Sequence, residues 1–217
     1  MPEFGYPRQC AICKKSVTLI EGNLDLIVKP FYQKGNDFRL MLIGQDPTIF
    51  VDRERVKQVL MLDERNGQLG RWLENLLGKE NFANFTVYAT NLIKCSFPRP
   101  PSTYRGKHFL KPYFENCRSH LVKEVTSFRP NLVLTFGEPA HRYFITLLDN
   151  KEQIGNTMQS AFGNEKGFFK TQISGFEFTY SPSLHIKTFR VAETYGQKIE
   201  KFKNTLLNEV TNYKTKL

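Results

Sequence analysis

Two short apolar runs that each end in glycine constrain the fold of this chain more than any other feature. Residues 38–44 read Phe-Arg-Leu-Met-Leu-Ile-Gly, and residues 131–137 read Asn-Leu-Val-Leu-Thr-Phe-Gly. Apolar runs of this length are typical of strands that a parallel sheet buries on both faces, and glycine often marks where such a strand breaks into a loop. The two runs therefore predict buried parallel strands.

Strand and helix patterns alternate along most of the chain. Residues 85–91 and 176–180 predict a third strand and a shorter fourth one, which stops at Ser-Pro-Ser. Apolar residues recur at helical spacing in residues 68–77, 114–128, 140–148 and 191–213. This alternation predicts an α/β domain with a mostly parallel sheet, whose ligand crevice would lie beyond the carboxyl ends of the strands.

Length and composition indicate one ordinary globular domain. The 217 residues are 40% hydrophobic and 24% charged, and no apolar run reaches the length of a membrane helix. The sequence opens on Met-Pro-Glu-Phe-Gly-Tyr instead of a signal peptide. We therefore expect a single domain over residues 1–217, monomeric and cytoplasmic, with no membrane partner. The net charge of +10 raises the expectation of a polyanionic partner such as nucleic acid, with a basic protein that binds nothing acidic as the alternative.

Four cysteines form the clearest candidate metal site. Cys10 and Cys13 make a tight Cys-Ala-Ile-Cys pair, whereas Cys95 and Cys117 lie in two separate segments far downstream. Four thiolates are what an iron–sulfur cluster or a structural zinc ion requires, and a reducing compartment favours metal ligation over disulfides. Four unrelated buried thiols are the alternative, since cysteine is common in protein cores.

Polar side chains follow the first and third predicted strands. The first runs into Gly44-Gln45-Asp46-Pro47-Thr48, where glycine permits a tight turn and proline would fix the direction of the Asp46 carboxylate. Asn91 ends the third strand, and its amide can both donate and accept, which suits the imide edge of a pyrimidine base. Each feature alone also fits an ordinary turn or loop cap.

The fourth predicted strand runs into a rigid turn with hydroxyl groups. Ser181-Pro182-Ser183-Leu184 leads to His185, and Lys187 and Arg190 follow. Ser-Pro-Ser is also a frequent helix start, so this segment alone decides nothing. Three polar segments at predicted strand ends, however, favour a site at that edge of the sheet.

These segments together resemble a known family. Gly44-Gln45-Asp46-Pro47 is similar to the first motif of the uracil-DNA glycosylase superfamily, in its Gly-Gln-Asp-Pro-Tyr form. Residues 90–95, Thr-Asn-Leu-Ile-Lys-Cys, with the Cys-x-x-Cys pair, a proline-rich loop and Cys117, resemble the iron–sulfur branch called family 4. Ser181-Pro182-Ser183 stands where the family carries a second motif, usually His-Pro-Ser. The resemblance extends from about residue 10 to residue 190.

The resemblance implies a three-layer α/β/α fold with a central four-stranded, mostly parallel sheet. It implies a partner, DNA, and an activity, which is to flip a damaged base out of the stack and hydrolyse its N-glycosidic bond. It also implies a [4Fe–4S] cluster, with Zn²⁺ as the alternative, which would hold the N-terminal cluster-binding segment and the proline-rich loop beside the DNA. Four ligands would hold the cluster: Cys10, Cys13, Cys95 and Cys117. The cluster would be structural, because the hydrolysis needs no electron transfer.

The resemblance also implies roles for individual residues. Asp46 would orient or activate water and stabilise the cationic sugar, and Asn91 would read the uracil edge. Ser181 or His185 would face the departing base. The remaining residues of the base pocket and its DNA contacts would be Gly44, Gln45, Pro47, Thr48, Leu62, Ser183 and Lys187.

Three departures from the family pattern leave the substrate open. Ser181 replaces a histidine that would stabilise the leaving base, which predicts a slower enzyme, a base that leaves more easily, or use of His185. Thr48 replaces a tyrosine, so a 5-substituted pyrimidine could enter. Leu62 stands near the place of a stacking aromatic, for which Phe50 or Phe97 could substitute. A glycosylase-like protein that binds nucleic acid but cuts slowly or not at all is the competing prediction, and a zinc-stabilised protein unrelated to bases is a third.

Overall fold

A six-stranded mixed sheet forms the centre of the protein. The computed structural model describes residues 4–7, 13, 23–36, 38–47, 58–62, 67–97, 99–104, 108–162, 167–185 and 196–214. The strands are β1 (Asn23–Ile27), β2 (Phe31–Gln33), β3 (Arg39–Gly44), β4 (Thr86–Asn91), β5 (Cys95–Ser96), β6 (Leu132–Phe136), β7 (Phe169–Ile173) and β8 (Phe176–Ser183). The helices are α1 (Gln68–Leu77), α2 (Lys79–Asn84), α3 (Lys111–Phe128), α4 (Glu138–Phe144), α5 (Met158–Ala161) and α6 (Gly196–Lys214).

The sheet has the order β2-β4-β3-β6-β8-β7, and β1 pairs separately with β5. Its four inner strands are parallel, whereas β2 and β7 are antiparallel edge strands. The predicted α/β class is confirmed, but the sheet has six strands instead of four. The edges escaped prediction because β2 spans only three residues and β7 is half exposed, so neither forms a continuous apolar run.

The two faces of the sheet carry separate hydrophobic cores because successive side chains along a strand point to opposite faces. In β3, Leu40 and Leu42 pack on one face and Met41 and Ile43 on the other. Helices α1, α2 and α6 cover the first face, and α3 and α4 cover the second, which completes three layers. No helix within the described ranges is long and apolar enough to span a membrane.

Several observed boundaries differ from those that the periodicity predicts. Helix α3 begins at Lys111 instead of residue 114, because Pro112 fits the first helical turn and the helix therefore starts before the apolar pattern does. Helix α4 ends at Phe144 and continues as a 3-10 turn over Ile145–Leu147. Helix α6 begins at Gly196, and the first part of the predicted helix, residues 191–195, lies outside the described residues.

Strand β8 continues to Ser183, so the predicted stop at Tyr180 is wrong. Ser181, Pro182 and Ser183 all pair with β6. On the other side of β8, pairing with β7 ends at Tyr180. Pro182 therefore lies where β8 has only one neighbour, and a proline without an N–H is tolerated at such an edge.

Candidate active site at the strand ends

A crevice site is expected where the connections of two neighbouring parallel strands leave on opposite faces of the sheet. Strands β3 and β6 are neighbours. The helix after β3 packs its leucines on one face, and the helix after β6 packs Ala140 and Phe144 on the other. The loop with Asp46 follows β3, and Gly137 follows β6, so these two segments lie at the point where the connections diverge.

The ends of β3 and β4 are joined by backbone hydrogen bonds that continue past the strands. Leu92 N–H donates to the Gly44 carbonyl at 2.9 Å, and Ile93 N–H donates to the Gln45 carbonyl at 3.0 Å. Gly44 pairs with Asn91, and a Cβ atom on Gly44 would lie 2.4 Å from Asn91 Oδ1. Only glycine leaves room for the Asn91 amide at this position.

Asp46 has one satisfied and one open carboxylate oxygen. Gln45 Nε2 donates to Oδ1 at 2.7 Å, whereas Oδ2 is buried and has no hydrogen-bond partner among the described residues. Burial raises the pKa of Asp46 to about 7, and the hydrogen bond from Gln45 offsets only part of that rise. The next residue, Pro47, is buried and limits the freedom of the loop. A carboxyl group with a pKa near neutrality and an open oxygen can accept a proton from water.

Asn91 presents a second buried oxygen that no described residue satisfies. The residue is 2% exposed, and nothing in the described ranges donates a hydrogen bond to Oδ1. Buried amide oxygens are almost always satisfied, so an open one in a crevice indicates a place for an external donor. The amide can pair with an imide, since one half accepts and the other half donates.

The structure changes the expectation for the serine motif. Ser181 is buried within β8, and its hydroxyl donates to the Gly167 carbonyl at 2.6 Å. Its donor is therefore already used inside the sheet, and the expectation that it faces a departing base is not supported by this geometry. Ser183 is buried too, and its carbonyl accepts from Gly137 N–H at 2.9 Å.

His185 is the residue of this motif that lies at the surface. It is exposed, and its Cβ atom lies 3.6 Å from where a Cβ on Gly137 would stand. Gly137 has a φ of +85°, which glycine adopts without strain. His185 thus lies beside the loop that follows β6, at the same end of the parallel strands as Asp46.

An apolar side chain that the sequence does not reveal borders the same crevice. Leu60 Cδ2 lies 2.9 Å from the position of a Gly44 Cβ. Leu60 and Met61 have φ values of 60° and 52°, so two bulky residues in succession adopt left-handed conformations. Such strain is found at functional sites, and no sequence signal marks it because neither residue is glycine or asparagine. Leu62 is half-buried and packs near Gly70 instead.

Phe97 cannot serve as a stacking aromatic at this crevice. It is 1% exposed and packs against the rings of Tyr104, Phe109 and Tyr113. Thr48, Phe50 and Lys187 lie outside the described residues.

Three of the four cysteines are buried in one hydrophobic core. Cys13, Cys95 on β5 and Cys117 on α3 all belong to it, and Asn116 Nδ2 donates to Cys13 Sγ at 3.2 Å. Burial raises the pKa of Tyr6, and the nearby Glu124, Cys117 and Cys95 raise it further, so two of the thiols lie close to that ring. Within the described residues, no three metal-ligating side chains are close enough together to hold an ion, and Cys10 lies outside them.

Among the described residues, the three-layer α/β/α fold thus carries an open carboxylate oxygen and an open amide oxygen at its switch point. The family model of the uracil DNA glycosylase superfamily matches residues 31–209, and the chain belongs to that superfamily. The matched residues include both the Asp46 and the Asn91 loops.

Two curated relatives are similar to parts of the chain. The Type-4 uracil-DNA glycosylase of Archaeoglobus fulgidus is 29% identical over 83 residues, which are 38% of this chain and 39% of that protein. The Type-4 uracil-DNA glycosylase of Saccharolobus solfataricus is 24% identical over 147 residues, or 67% of this chain and 59% of that protein. The chain thus spans less than two thirds of the length of either relative.

Proposed function

We propose that this protein is a DNA glycosylase that takes a deaminated base, most simply uracil, out of the DNA stack and hydrolyses its N-glycosidic bond. The observation that carries the proposal is the pair of buried, open oxygen atoms, Asp46 Oδ2 and Asn91 Oδ1, at adjacent strand ends. Membership in the superfamily and the names of the two relatives support it. The net charge of +10 suits DNA as the partner.

Asp46 would act on the sugar side of the bond. As the bond between the anomeric carbon and the base nitrogen breaks, its electron pair leaves with the base, and the sugar becomes cationic. An ionised Asp46 stabilises that charge and accepts a proton from the water that attacks the anomeric carbon. Burial favours this role because the interaction between carboxylate and cation is stronger where water is excluded.

Asn91 would select the base. Uracil presents an imide N–H beside a carbonyl, which complements the acceptor and the donor of the Asn91 amide. Cytosine presents an acceptor and an amino group at the same positions. The Asn91 oxygen would then face another acceptor, and the Asn91 amino group would face another donor. A site that binds its substrate through hydrogen bonds rejects an analogue that cannot form those hydrogen bonds.

His185 is the better candidate for contact with the departing base. The Ser181 hydroxyl donates to a backbone carbonyl inside the sheet, and His185 is exposed beside Gly137 at the end of β6. An imidazole N–H can donate to the negative charge that develops on uracil. We expect His185→Ala to slow single-turnover excision and Ser181→Ala to change it less.

The cysteines would hold a [4Fe–4S] cluster, with Zn²⁺ as the alternative ion. Separate segments bring Cys13, Cys95 and Cys117 into one core, and with Cys10 these thiols would be the ligands once they move closer together than the described residues place them. When bound, the cluster would cross-link the N-terminal segment, β5 and α3. Metal analysis of the purified protein distinguishes the two: iron and sulfide with a brown colour indicate the cluster, whereas zinc in a colourless protein indicates the ion.

One assay tests the proposed activity directly. The protein is incubated with an oligonucleotide that contains a single uracil, and abasic sites are then cleaved with alkali. Cleavage by the unaltered protein but not by Asp46→Asn supports the proposal. Binding of the oligonucleotide without any cleavage would instead identify a glycosylase-like binding protein.

A further inference from the structure

A buried ion pair lies directly behind the Asn91 side of the crevice. Lys94 is 1% and Glu124 0% exposed, and Lys94 Nζ lies 2.5 Å from Glu124 Oε2. The carboxylate also accepts from the Tyr88 hydroxyl at 3.0 Å and from the Thr90 hydroxyl at 3.1 Å. Every member of this network therefore has at least one partner, which is the condition under which a buried charge is tolerated.

The ammonium group of Lys94 uses each of its three protons. Besides Glu124, it donates to Thr90 Oγ1 at 2.8 Å and to the backbone carbonyl of Asn91 at 2.6 Å. The last of these bonds ties a charge to the residue whose amide stands open in the crevice. Hydrogen bonds from charged donors are stronger than those between neutral groups.

The turn after β4 is thus held from two sides. On one side, the carbonyls of Gly44 and Gln45 accept from Leu92 and Ile93. On the other side, Lys94 Nζ donates a hydrogen bond back to the Asn91 carbonyl. The backbone of Asn91 is fixed before any ligand arrives, so the amide loses little further freedom when a base binds.

We propose that Lys94 is a positioning residue for recognition of the base: it fixes the Asn91 backbone so that the Asn91 amide meets the base edge at the right angle, and Glu124 holds Lys94 in place. The inference rests on the proposed function. A positioning role would explain why the chain buries this ion pair, because a buried ion pair contributes little to stability compared with apolar residues of the same size.

The network further connects the base-reading turn to the cysteines. Cys95 follows Lys94 directly, and Glu124 lies about two helical turns after Cys117 in α3. The ring of Tyr6 lies 5.2 Å from Lys94 Nζ and also near both of these cysteines. The segments that carry the thiols are therefore the ones that bring the two charges together.

The test separates binding of the base from binding of the rest of the DNA. Two oligonucleotides of one sequence carry either a non-hydrolysable fluorinated deoxyuridine or an abasic-site analogue. Dissociation constants for both are measured with the unaltered protein, with Lys94→Met and with Lys94→Met/Glu124→Gln. The double variant removes both charges, so it avoids the unpaired carboxylate that could unfold the single variant. Lys170→Met is the control, because exposed Lys170 also donates to a threonine hydroxyl.

We expect both Lys94 variants to bind the fluorinated deoxyuridine about tenfold more weakly while their affinity for the abasic analogue is unchanged. Lys170→Met should match the unaltered protein on both. An equal loss on both oligonucleotides, or no loss on either, would overturn the inference while the proposed function stands. If the unaltered protein itself neither prefers the deoxyuridine nor excises uracil, the proposed function fails first.

Discussion

Thr90 and Asn91 are neighbours in β4, yet their side chains differ in how fully they are hydrogen-bonded. Thr90 points to the face of the sheet where Lys94 and Glu124 satisfy one another, and its hydroxyl both donates and accepts there. Asn91 points to the other face, where its Oδ1 is buried with no donor in the described part of the chain. Polar groups that support a fold are saturated, whereas groups that await a ligand are left open.

The largest effect should come from removing the open carboxylate. Asp46→Asn keeps the shape of the side chain but cannot accept a proton or stabilise a cation, so single-turnover excision of uracil should fall by about 10²–10⁴-fold. Unchanged excision would remove Asp46 from the chemistry. Asp149→Asn makes the same change at an exposed aspartate and is the matched control, which should retain the activity.

The free energy of unfolding should respond differently to substitutions on the two faces of β4. Glu124→Leu leaves the Lys94 ammonium buried without its counter-charge, so the free energy of unfolding should drop by about 3–5 kcal/mol in urea titrations. Asn91→Ala removes an oxygen that has no partner among the described residues, so it should leave this free energy unchanged or raise it. If Asn91→Ala proves as destabilising as Glu124→Leu, the Asn91 amide supports the fold and is not an open ligand-binding group.

The pH dependence of excision tests whether the Asp46 carboxylate takes part in the reaction. Burial raises the pKa of Asp46 from 3.8 to about 7, so the group is protonated below that pH and ionised above it. In the proposed mechanism excision needs the ionised form, so its rate should increase about tenfold per pH unit below the pKa and level off above it. A single-turnover rate that stays flat across this range would contradict the prediction.

The same shift has a consequence for stability, with the opposite sign. Between pH 3.8 and about 7, folded Asp46 retains a proton that the unfolded chain has released. The contribution of Asp46 to stability is therefore present at low pH and is lost as the pH rises through about 7. Asp46→Asn should have a higher Tm than the unaltered protein at pH 8 and a similar one at low pH, as measured by thermal unfolding.

The smallest effect on stability is expected from a second group of fully hydrogen-bonded side chains on the Thr90 face. His141 Nδ1 lies 2.7 Å from the Tyr180 hydroxyl, and Nε2 lies 2.7 Å from the Gly155 carbonyl. Burial lowers the pKa of His141, so the folded protein holds the ring neutral where the unfolded chain has protonated it. Stability should therefore decrease as the pH falls below the ordinary histidine pKa of 6.5, and His141→Gln should weaken this slope in urea titrations at several pH values. An identical slope in both proteins would contradict it.

Much of the sheet could be predicted because its inner strands are continuous apolar runs. The predicted segments for β3, β4 and β6 agree with the structure to within a residue at each end, and α1 has the predicted bounds. The edge strands and the extension of β8 to Ser183 could not be predicted, because they depend on which neighbour each strand acquires. Pro182 reads as a turn in the sequence but pairs as a strand, since β7 ends beside Tyr180.

The layered α/β class and the residues that carry polar groups to the strand ends follow from the sequence alone. They do so because strand periodicity and terminal glycines are local properties of the chain. Which of those groups are open depends on packing. The Ser181 hydroxyl donates to Gly167, Asp46 Oδ2 and Asn91 Oδ1 have no partner among the described residues, and Leu60 lies beside Gly44. Whether a buried polar atom is satisfied depends on partners far away in the sequence, and these are set by packing alone.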